Sequence, residues 1–367
     1  MRKPKPIFIL TALVSLVIFS HSALGAKAIL FNDSHFHLTN YVQEGITAQR
    51  LLQLMGEQVG RSTLFGIPLQ QQWSHRVSDA SNPPTYYLQT DAPLYYYSFT
   101  DAAIAMAYKS LTKSQQERLD PMITGFNPTD MYAADHIRRV LETFPGVFTG
   151  IGEFSIHKEF VSSKVAGEVA SLKDPAVDRI LDFAGQVGLL VILHNDIDTP
   201  FPKKGDEPTY LAQMRNLLIR HPETKIIWAH MGVGRIVRPI HKHLAAIESL
   251  LKDPRFKHIY FDISWMETAK YIITDPRATK LMAELIHRHP DRFLFGTDEV
   301  APKDSTQYLS VYEAYKPLWS ALNESASEKV RTGNYVRLFD EARKKVRAWE
   351  KANVLENKET RISQARN

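Results

Sequence analysis

Two histidines stand two residues apart in the stretch Asp33-Ser34-His35-Phe36-His37, which Asn32 separates from the apolar run Ala28-Ile29-Leu30-Phe31. In a β-strand, residues i and i+2 point to the same face, so His35 and His37 are expected to project together while Phe36 packs behind them. Two neutral imidazoles that converge from one strand end can bind a divalent metal ion. Such a pair alone is more often two ordinary histidines, so its meaning depends on the rest of the chain.

Four later segments also end an apolar run with a residue that can bind a metal or transfer a proton. These residues are Glu153, His194, His230 and Asp298. A buried ionisable group at an apolar strand end costs free energy unless it is paired or bound to a metal. The repeated placement therefore indicates a metal centre. Six further histidines, at positions 136, 221, 241, 243, 287 and 289, fall on predicted helices or their ends and are expected on the surface.

Apolar, β-branched segments of strand length alternate with amphipathic helical patterns along the chain. We predict strands at 28–32, 62–67, 122–126, 147–154, 189–194, 225–230, 258–263 and 292–297. The predicted helices cover 47–58, 101–119, 130–143, 175–186, 208–220, 237–251, 276–288 and 306–322. Strands that are apolar throughout, each followed by a helix, favour a parallel sheet covered by helices. Eight such units, with no Gly-rich fingerprint after the first strand, favour an α/β fold of the (β/α)8 TIM barrel type over an open doubly wound sheet.

A long connection after the second predicted strand, residues 68–100, is rich in aromatic residues and includes Trp73. Loops that follow the strands of a TIM barrel surround its active face. We therefore predict that this loop is a lid or a wall of the binding site, with Trp73 in contact with substrate. An aromatic wall suits a substrate with an apolar or sugar face. A hydrophobic cap or a contact between subunits is the alternative.

The N-terminus has the features of a secretory signal peptide. Arg2, Lys3 and Lys5 precede the apolar run at 7–19, and the small residues of Ser22-Ala23-Leu24-Gly25-Ala26 follow. We predict a signal peptide at 1–25, a barrel domain at 26–345 and a charged C-terminal helix or tail at 346–367 in a periplasmic or secreted protein. A retained membrane anchor is the alternative. The apolar run is short for a full span, so we expect no stable membrane anchoring after cleavage.

The net charge of +5 comes from the two ends of the chain. Residues 1–25 carry three basic and no acidic side chains, and residues 341–367 carry eight basic and four acidic ones, which leaves a net charge of −2 for 26–340. This distribution argues against a groove for nucleic acid. The sequence contains no cysteine, which excludes thiolate ligands, a cysteine nucleophile and disulfide bonds.

Several motifs together resemble the amidohydrolase superfamily, and most closely its large amidohydrolase-related branch, which also contains decarboxylases and lactone hydrolases. The resemblance covers nearly the whole mature chain. The motifs are Asp33-Ser34-His35-Phe36-His37, Leu193-His194, Trp228-Ala229-His230-Met231-Gly232, Phe295-Gly296-Thr297-Asp298 and Thr332-Gly333-Asn334-Tyr335-Val336-Arg337-Leu338-Phe339. The combination is specific, whereas no single motif is.

The resemblance implies that His35, His37 and Asp298 bind one metal ion, that His194 is a further ligand, and that His230 is a ligand or a catalytic residue. Glu153 stands where several branches place a metal-bridging lysine or glutamate, which favours two metals. A helix cap or a salt bridge with Lys158 or Arg235 is the alternative for Glu153. Asp33 is expected to orient an imidazole or to be a structural strand-end carboxylate.

Nitrogen and oxygen ligands without cysteine make zinc the first choice of metal, with manganese or iron as alternatives. The metal is expected to lower the pKa of a water molecule, and Asp298 to accept its proton and pass it to the leaving group. The metal or His230 would polarise the scissile bond. Arg235 and Trp265 fall near strand ends and are candidate substrate contacts, Arg235 for a carboxylate or phosphate.

We therefore predict an exported, metal-dependent hydrolase that acts on an ester, lactone or amide of a small organic substrate and holds one or two divalent metals. The alternatives are a decarboxylase on the same scaffold, a phosphodiesterase, and a catalytically inactive metal-binding protein. The expected partner is the small-molecule substrate, and a homo-oligomer is left open. The sequence does not identify the substrate, because one fold with one metal site supports many chemistries.

Overall fold

The structure is a computed structural model, and it describes residues 29–39, 45–71, 92–165, 170–203 and 207–355. The predicted signal peptide, Trp73 with the rest of 72–91, and the end of the chain from 356 onwards lie outside the described residues. Within the described ranges, no helix combines the length and the apolar character needed to cross a membrane.

Eight parallel strands form one sheet, ordered as they occur in the chain. They are β1 (Phe31–Asp33), β2 (Val59–Leu64), β3 (Leu119–Ile123), β4 (Gly150–Ser155), β5 (Leu190–His194), β6 (Ile226–Trp228), β7 (Ile259–Asp262) and β8 (Phe293–Leu294). Just beyond β1 and β8, the Ser34 amide donates to the Phe295 carbonyl at 3.2 Å, and the short strands Phe36–His37 and Glu299–Val300 pair in parallel. The chain is thus a (β/α)8 TIM barrel, which confirms the predicted fold.

The helices follow the strands and cover the sheet. They are α1 (Ala48–Met55), α2 (Phe99–Lys109), α3 (Lys113–Gln116), α4 (Ala133–Thr143), α5 (Pro175–Val187), α6 (Thr209–Arg220), α7 (His243–Lys252), α8 (Met266–Ile273), α9 (Pro276–Arg288), α10 (Ser305–Ala314), α11 (Lys316–Ala321), α12 (Glu324–Glu328) and α13 (Asn334–Glu350). Polar side chains set several of the helix starts. Asp174 and Asp275 each stand directly before a proline, and their side chains accept a hydrogen bond from a backbone amide in the first turn of the helix. The proline has no N–H group that would need a partner there, so this pair of residues is a favoured helix start.

Two of the predicted helices are each divided into two. The prediction of one helix over 101–119 is wrong because Thr112 starts a new helix, where it forms a capping box with Gln115. The helix predicted over 306–322 breaks at Tyr315, where Pro317 in the first turn of α11 has no N–H to continue the hydrogen bonding of α10. Helices α8 and α12 lie outside all of the predicted helical ranges.

The last helix closes the end of the barrel opposite the strand C-termini. Tyr335, Leu338 and Phe339 of α13 pack into the apolar cluster inside the barrel. The Tyr335 hydroxyl also donates to the buried Asp120 carboxylate at 2.8 Å, near the start of β3. The helix continues across the boundary predicted after residue 345, with Val346 fully buried. This end is filled by packing and ion pairs, which leaves the other end for chemistry.

Candidate metal centre

Six polar side chains predicted as metal ligands meet at the C-terminal end of the barrel. They are His35 and His37 after β1, Glu153 in β4, His194 at the end of β5, His230 after β6 and Asp298 after β8. Three overlapping triplets of these residues each bring one donor atom per residue within 4.8 Å of the others. All but Asp298 are buried, and the Asp298 side chain is 10% exposed.

Asp298 places one carboxylate against three imidazoles. Its Oδ1 atom lies 3.2 Å from His35 Nε2 and 3.1 Å from His37 Nε2, and its Oδ2 atom lies 3.7 Å from His230 Nε2. The backbone turns sharply at Asp298, with φ of 52°, and its amide donates to the His35 carbonyl at 2.7 Å. Burial alone raises the pKa of Asp298, but the charges and hydrogen bonds of the histidines outweigh it and hold the pKa below the usual range.

Glu153 directs one oxygen to each side of the cluster. Its Oε2 atom lies 3.5 Å from His37 Nε2 and 3.8 Å from His35 Nε2, whereas its Oε1 atom lies 2.6 Å from His194 Nδ1 and 3.7 Å from His230 Nε2. Burial alone raises the pKa of Glu153, but Lys158 and His194 hold it well below its usual range. An anionic carboxylate with both oxygens directed in this way can bridge two metal ions.

A bulge in β4 directs the Glu153 side chain into the barrel mouth. Ile151 pairs with Val191 of β5, but Phe154 pairs with Leu193, so β4 contains one extra residue between these pairs. Gly152 makes this possible, since its φ is 115° and a Cβ atom there would lie 2.2 Å from the Ile192 carbonyl oxygen.

Two buried nitrogens at the centre lack the hydrogen bonds that burial requires. His35 Nε2 and His230 Nε2 have no hydrogen-bond partner among the described residues, although carboxylate oxygens are near. The opposite ring nitrogens are anchored: His35 Nδ1 lies 3.0 Å from Asp262 Oδ2, and His230 Nδ1 lies 3.0 Å from Ser264 Oγ. Asp262 can only accept, so His35 Nδ1 carries a proton and Nε2 faces the centre. The cluster fits a divalent cation.

The remaining two imidazoles also have one ring nitrogen held from outside. His37 Nδ1 lies 3.3 Å from the Gly66 carbonyl oxygen, so its Nε2 faces the centre. His194 is reversed: Nδ1 faces Glu153, and Nε2 lies 3.3 Å from Asp196 Oδ1. Burial lowers the pKa of His230, which favours the neutral form that binds metal.

Burial also acts to lower the pKa of His35, but Asp298 and Asp262 raise it well above its ordinary value. These two carboxylates therefore favour a positive charge on this imidazole. A bound cation would replace that proton, because a metal and a proton compete for the same nitrogen lone pair.

Asp262, at the end of β7, orients two of the histidines and was not assigned a role from the sequence. Besides its contact with His35, its Oδ1 atom accepts from the His230 amide at 2.9 Å and from the Ser264 hydroxyl at 2.5 Å. Asp262 is fully buried, and the Ser264 amide also donates to its Oδ1 atom at 3.2 Å. Its position as an acidic residue ending the seventh apolar run was the only signal in the sequence.

We expect the Asp262→Asn variant to bind metal about 10- to 100-fold more weakly, the usual cost of losing a partner that orients a ligand. Asparagine presents an NH2 group in place of one oxygen, so it cannot accept a hydrogen bond from His35 through one atom and from the His230 amide through the other. The measurement is competition with a chelator of known affinity. Ser264→Ala removes only the hydroxyl next to His230, so its metal affinity should fall by less than that of Asp262→Asn. Equal metal affinity in Asp262→Asn and the unmodified protein would contradict this role.

The predicted substrate contacts lie at the mouth of the site or outside the described residues. The Trp265 ring centre is 5.0 Å from that of His230. The Arg235 guanidinium carbon is 5.8 Å from the Trp265 ring, and its side chain is 43% exposed, with Nε 4.0 Å from Glu267 Oε1. Trp73 lies outside the described residues, so its predicted role stays a prediction.

Asp33 contacts Thr297 and not an imidazole. Its Oδ1 atom accepts from the Thr297 amide at 2.8 Å and its Oδ2 atom from the Thr297 hydroxyl at 2.7 Å, which ties the end of β1 to the end of β8. Of the two roles expected for Asp33, the geometry favours the structural one.

Two histidines expected on the surface are buried, and for them the prediction is wrong. His243 lies 3.0 Å from the Met231 carbonyl oxygen, next to His230. His221 is held between the carboxylates of Asp178 and Asp182, at 2.7 and 2.9 Å. Both lie near a helix end, where backbone carbonyls or acidic side chains provide partners that a helical pattern does not predict.

A TIM barrel with a cluster of histidines and carboxylates at its strand C-termini defines the class of this protein. Residues 33–340 match the family model described as Amidohydrolase, and the chain belongs to that family. The family uses divalent metals, for which the cluster described above is a candidate site. No curated protein sequence matches the chain.

Solved structures similar to this chain share its fold at low sequence identity. A candidate 2-pyrone-4,6-dicarboxylic acid hydrolase from Pseudomonas putida is 14% identical, with a TM-score of 0.51 over 86% of this chain and 98% of that chain. A second such candidate, from Acinetobacter baumannii, is 12% identical, with a TM-score of 0.50 over 85% and 100%. An uncharacterized TIM-barrel protein from Bordetella bronchiseptica is 13% identical, with a TM-score of 0.51 over 85% and 99%. At these identities the similarity shows the fold alone.

Proposed function

We propose that this protein is a metal-dependent hydrolase that uses an activated water to cleave an ester, lactone or amide bond of a small organic substrate. One observation carries the proposal: four imidazoles and two carboxylates converge at the barrel mouth, with the buried Nε2 atoms of His35 and His230 lacking hydrogen bonds. Membership of the Amidohydrolase family supports it.

The donor atoms divide into two sets on either side of Glu153. His35 and His37 lie nearest Glu153 Oε2 and contact Asp298, whereas His194 and His230 lie nearest Glu153 Oε1. His230 is shared, because its donor atom also lies within 4.8 Å of those of His35 and Asp298. We propose two metal ions per chain, with zinc as the first choice for these nitrogen and oxygen donors, and Glu153 is the residue that would hold both. A divalent metal held there would act as a Lewis acid, which lowers the pKa of a water molecule and polarises the scissile bond.

Asp298 is the proposed base. Its carboxylate is kept anionic by the surrounding histidines and remains in part accessible from the barrel mouth. It orients the attacking water, accepts its proton and returns that proton to the leaving group. His230, held by Ser264 and Asp262, presents Nε2 to the same space and completes the ligand set.

Elemental analysis of the purified protein, combined with a substrate panel, tests this function. The panel contains an ester, a lactone, an amide, a phosphodiester and an aromatic carboxylic acid. We expect about two metals per chain, and turnover of an ester, lactone or amide that a chelator abolishes and added metal restores. One metal with release of carbon dioxide from the acid would instead establish the decarboxylase. Bound metal without turnover on any compound would favour a catalytically inactive metal-binding protein.

We also propose that the protein is exported and that its mature chain begins at Ala26. The basic start, apolar run and small residues before Ala26 support cleavage after Gly25. N-terminal sequencing of protein isolated from its native host is expected to begin Ala26-Lys27-Ala28 in the fraction outside the cytoplasm. Intact Met1 on a cytosolic protein would refute export, and intact Met1 in the membrane fraction would establish a retained anchor.

A further inference from the structure

Lys158 is a charged residue next to the metal centre for which the proposed reaction has no role. It lies in the loop after β4, its side chain is 14% exposed, and its Nζ atom is 3.5 Å from Glu153 Oε1. The same Nζ atom lies 5.9 Å from the centre of the Trp265 ring, which in turn flanks His230. Lys158 is therefore at the mouth of the site and points toward the groups proposed to bind metal.

A lysine in this position is unfavourable once metal is bound. When the Glu153 charge is shared with divalent cations, the Lys158 ammonium faces like charges at short range and with little water to screen them. An anion that enters beside Lys158 removes this repulsion. The loaded site thus favours a substrate that carries a negative charge close to its reacting bond.

A cleft beside Lys158 has the size for such a group. Its polar wall is formed by His37, Glu153, Tyr96 and Lys158, and Ile67 and Leu69 contribute to its apolar wall. The space open to the centre of a water-sized sphere is about 20 Å³. That volume holds about one or two water molecules, the size of a carboxylate and less than that of a ring.

Tyr96 supplies a second donor in the cleft. Its hydroxyl makes a long hydrogen bond of 3.4 Å to the Ser155 carbonyl, which it can exchange for a better acceptor. Burial raises the pKa of Tyr96, so the hydroxyl keeps its proton and acts as a donor. One ammonium and one hydroxyl match the two oxygens of a carboxylate, whereas a phosphate has more oxygens to satisfy and a larger charge.

We propose that Lys158 and Tyr96 bind a carboxylate of the substrate, so that the enzyme acts on esters, lactones or amides that carry a carboxylate near the scissile bond. This inference rests on the proposed function, because it deepens the specificity of the same site. The remainder of the substrate lies along the Trp265 ring, which borders both His230 and Lys158.

Calorimetric titration of the metal-loaded protein with propionate tests the proposal, with propionamide as the neutral probe and inorganic phosphate as the competing anion. Lys158→Gln is expected to weaken propionate binding by about 10-fold or more, the usual effect of losing a charged hydrogen bond. Lys158→Arg should retain most of the affinity, and Tyr96→Phe should lose a smaller part of it. Propionamide binding should be weak and unchanged. Lys252→Gln removes the same charge from an exposed side chain on α7 and should change nothing.

Metal content is measured in parallel and separates this inference from the proposed function. Removing the Lys158 charge cannot weaken metal binding by electrostatics, so Lys158→Gln should keep its metals. If the unmodified protein binds no metal, the proposed function fails and this inference fails with it, because Lys158 then keeps its ion pair with Glu153. Equal propionate affinity in Lys158→Gln and the unmodified protein would overturn the inference. Phosphate binding that is tighter than propionate binding and is weakened in Lys158→Gln would also overturn the inference.

Discussion

The Asp298→Asn variant is expected to turn over substrate about 10² to 10⁴ times more slowly than the unmodified enzyme, the usual scale of losing a general base. Asparagine has nearly the same shape, but it is a poor base and a weaker metal ligand. Asp298 follows β8 at the open end of the barrel, so the fold should survive the change. A defect in substrate binding alone would raise KM and leave kcat unchanged.

Steady-state kinetics on the substrate identified by the panel measures this effect, with metal content determined on the same preparation. Asp291→Asn is the matched control, since Asp291 lies two residues before β8, at the opposite end of the strand, and its exposed carboxylate pairs with Lys329 at 2.9 Å. The control should retain nearly full turnover. A folded, metal-loaded Asp298→Asn protein with a near-normal kcat would show that another residue is the base.

The Glu153→Gln variant is expected to lose about one of two metal equivalents while it keeps its fold. Glutamine has no negative charge, and a metal bridged by this residue depends on an anionic ligand. The change also leaves Lys158 and His194 without the carboxylate that lies 3.5 and 2.6 Å from them. The positive charge of Lys158, no longer facing the Glu153 carboxylate, would then oppose metal binding more strongly.

Elemental analysis together with the far-ultraviolet circular dichroism spectrum separates metal loss from unfolding. Glu313→Gln is the matched control, because Glu313 is an exposed residue of α10 that pairs with Lys316. Two metals are expected in this control. One metal per chain in both the unmodified protein and Glu153→Gln would reject a bridging role. It would favour the decarboxylase alternative, for which one metal suffices and Glu153 is incidental.

The sequence by itself determined which residues could meet. Parallel strands end at the same rim of a barrel, so the residue type that follows each apolar run predicts the composition of that rim without any knowledge of distances. The two-residue repeat of a strand placed His35 and His37 on one side, and both face Asp298 in the structure. Polar side chains before a proline, as at Asp174 and Asp275, marked helix starts because they act on backbone groups only a few residues away.

The tertiary structure alone decided how these residues are oriented. A bulge in β4 directs Glu153 to the centre, and this bulge results from the way β4 pairs with β5. His194 turns Nδ1 inward, where it lies 2.6 Å from Glu153, 41 residues away, whereas His35 turns Nε2 inward because Asp262, 227 residues away, lies near its Nδ1. Strand register and ring orientation depend on contacts between distant segments, and a local residue pattern carries no information about which distant group will be the neighbour.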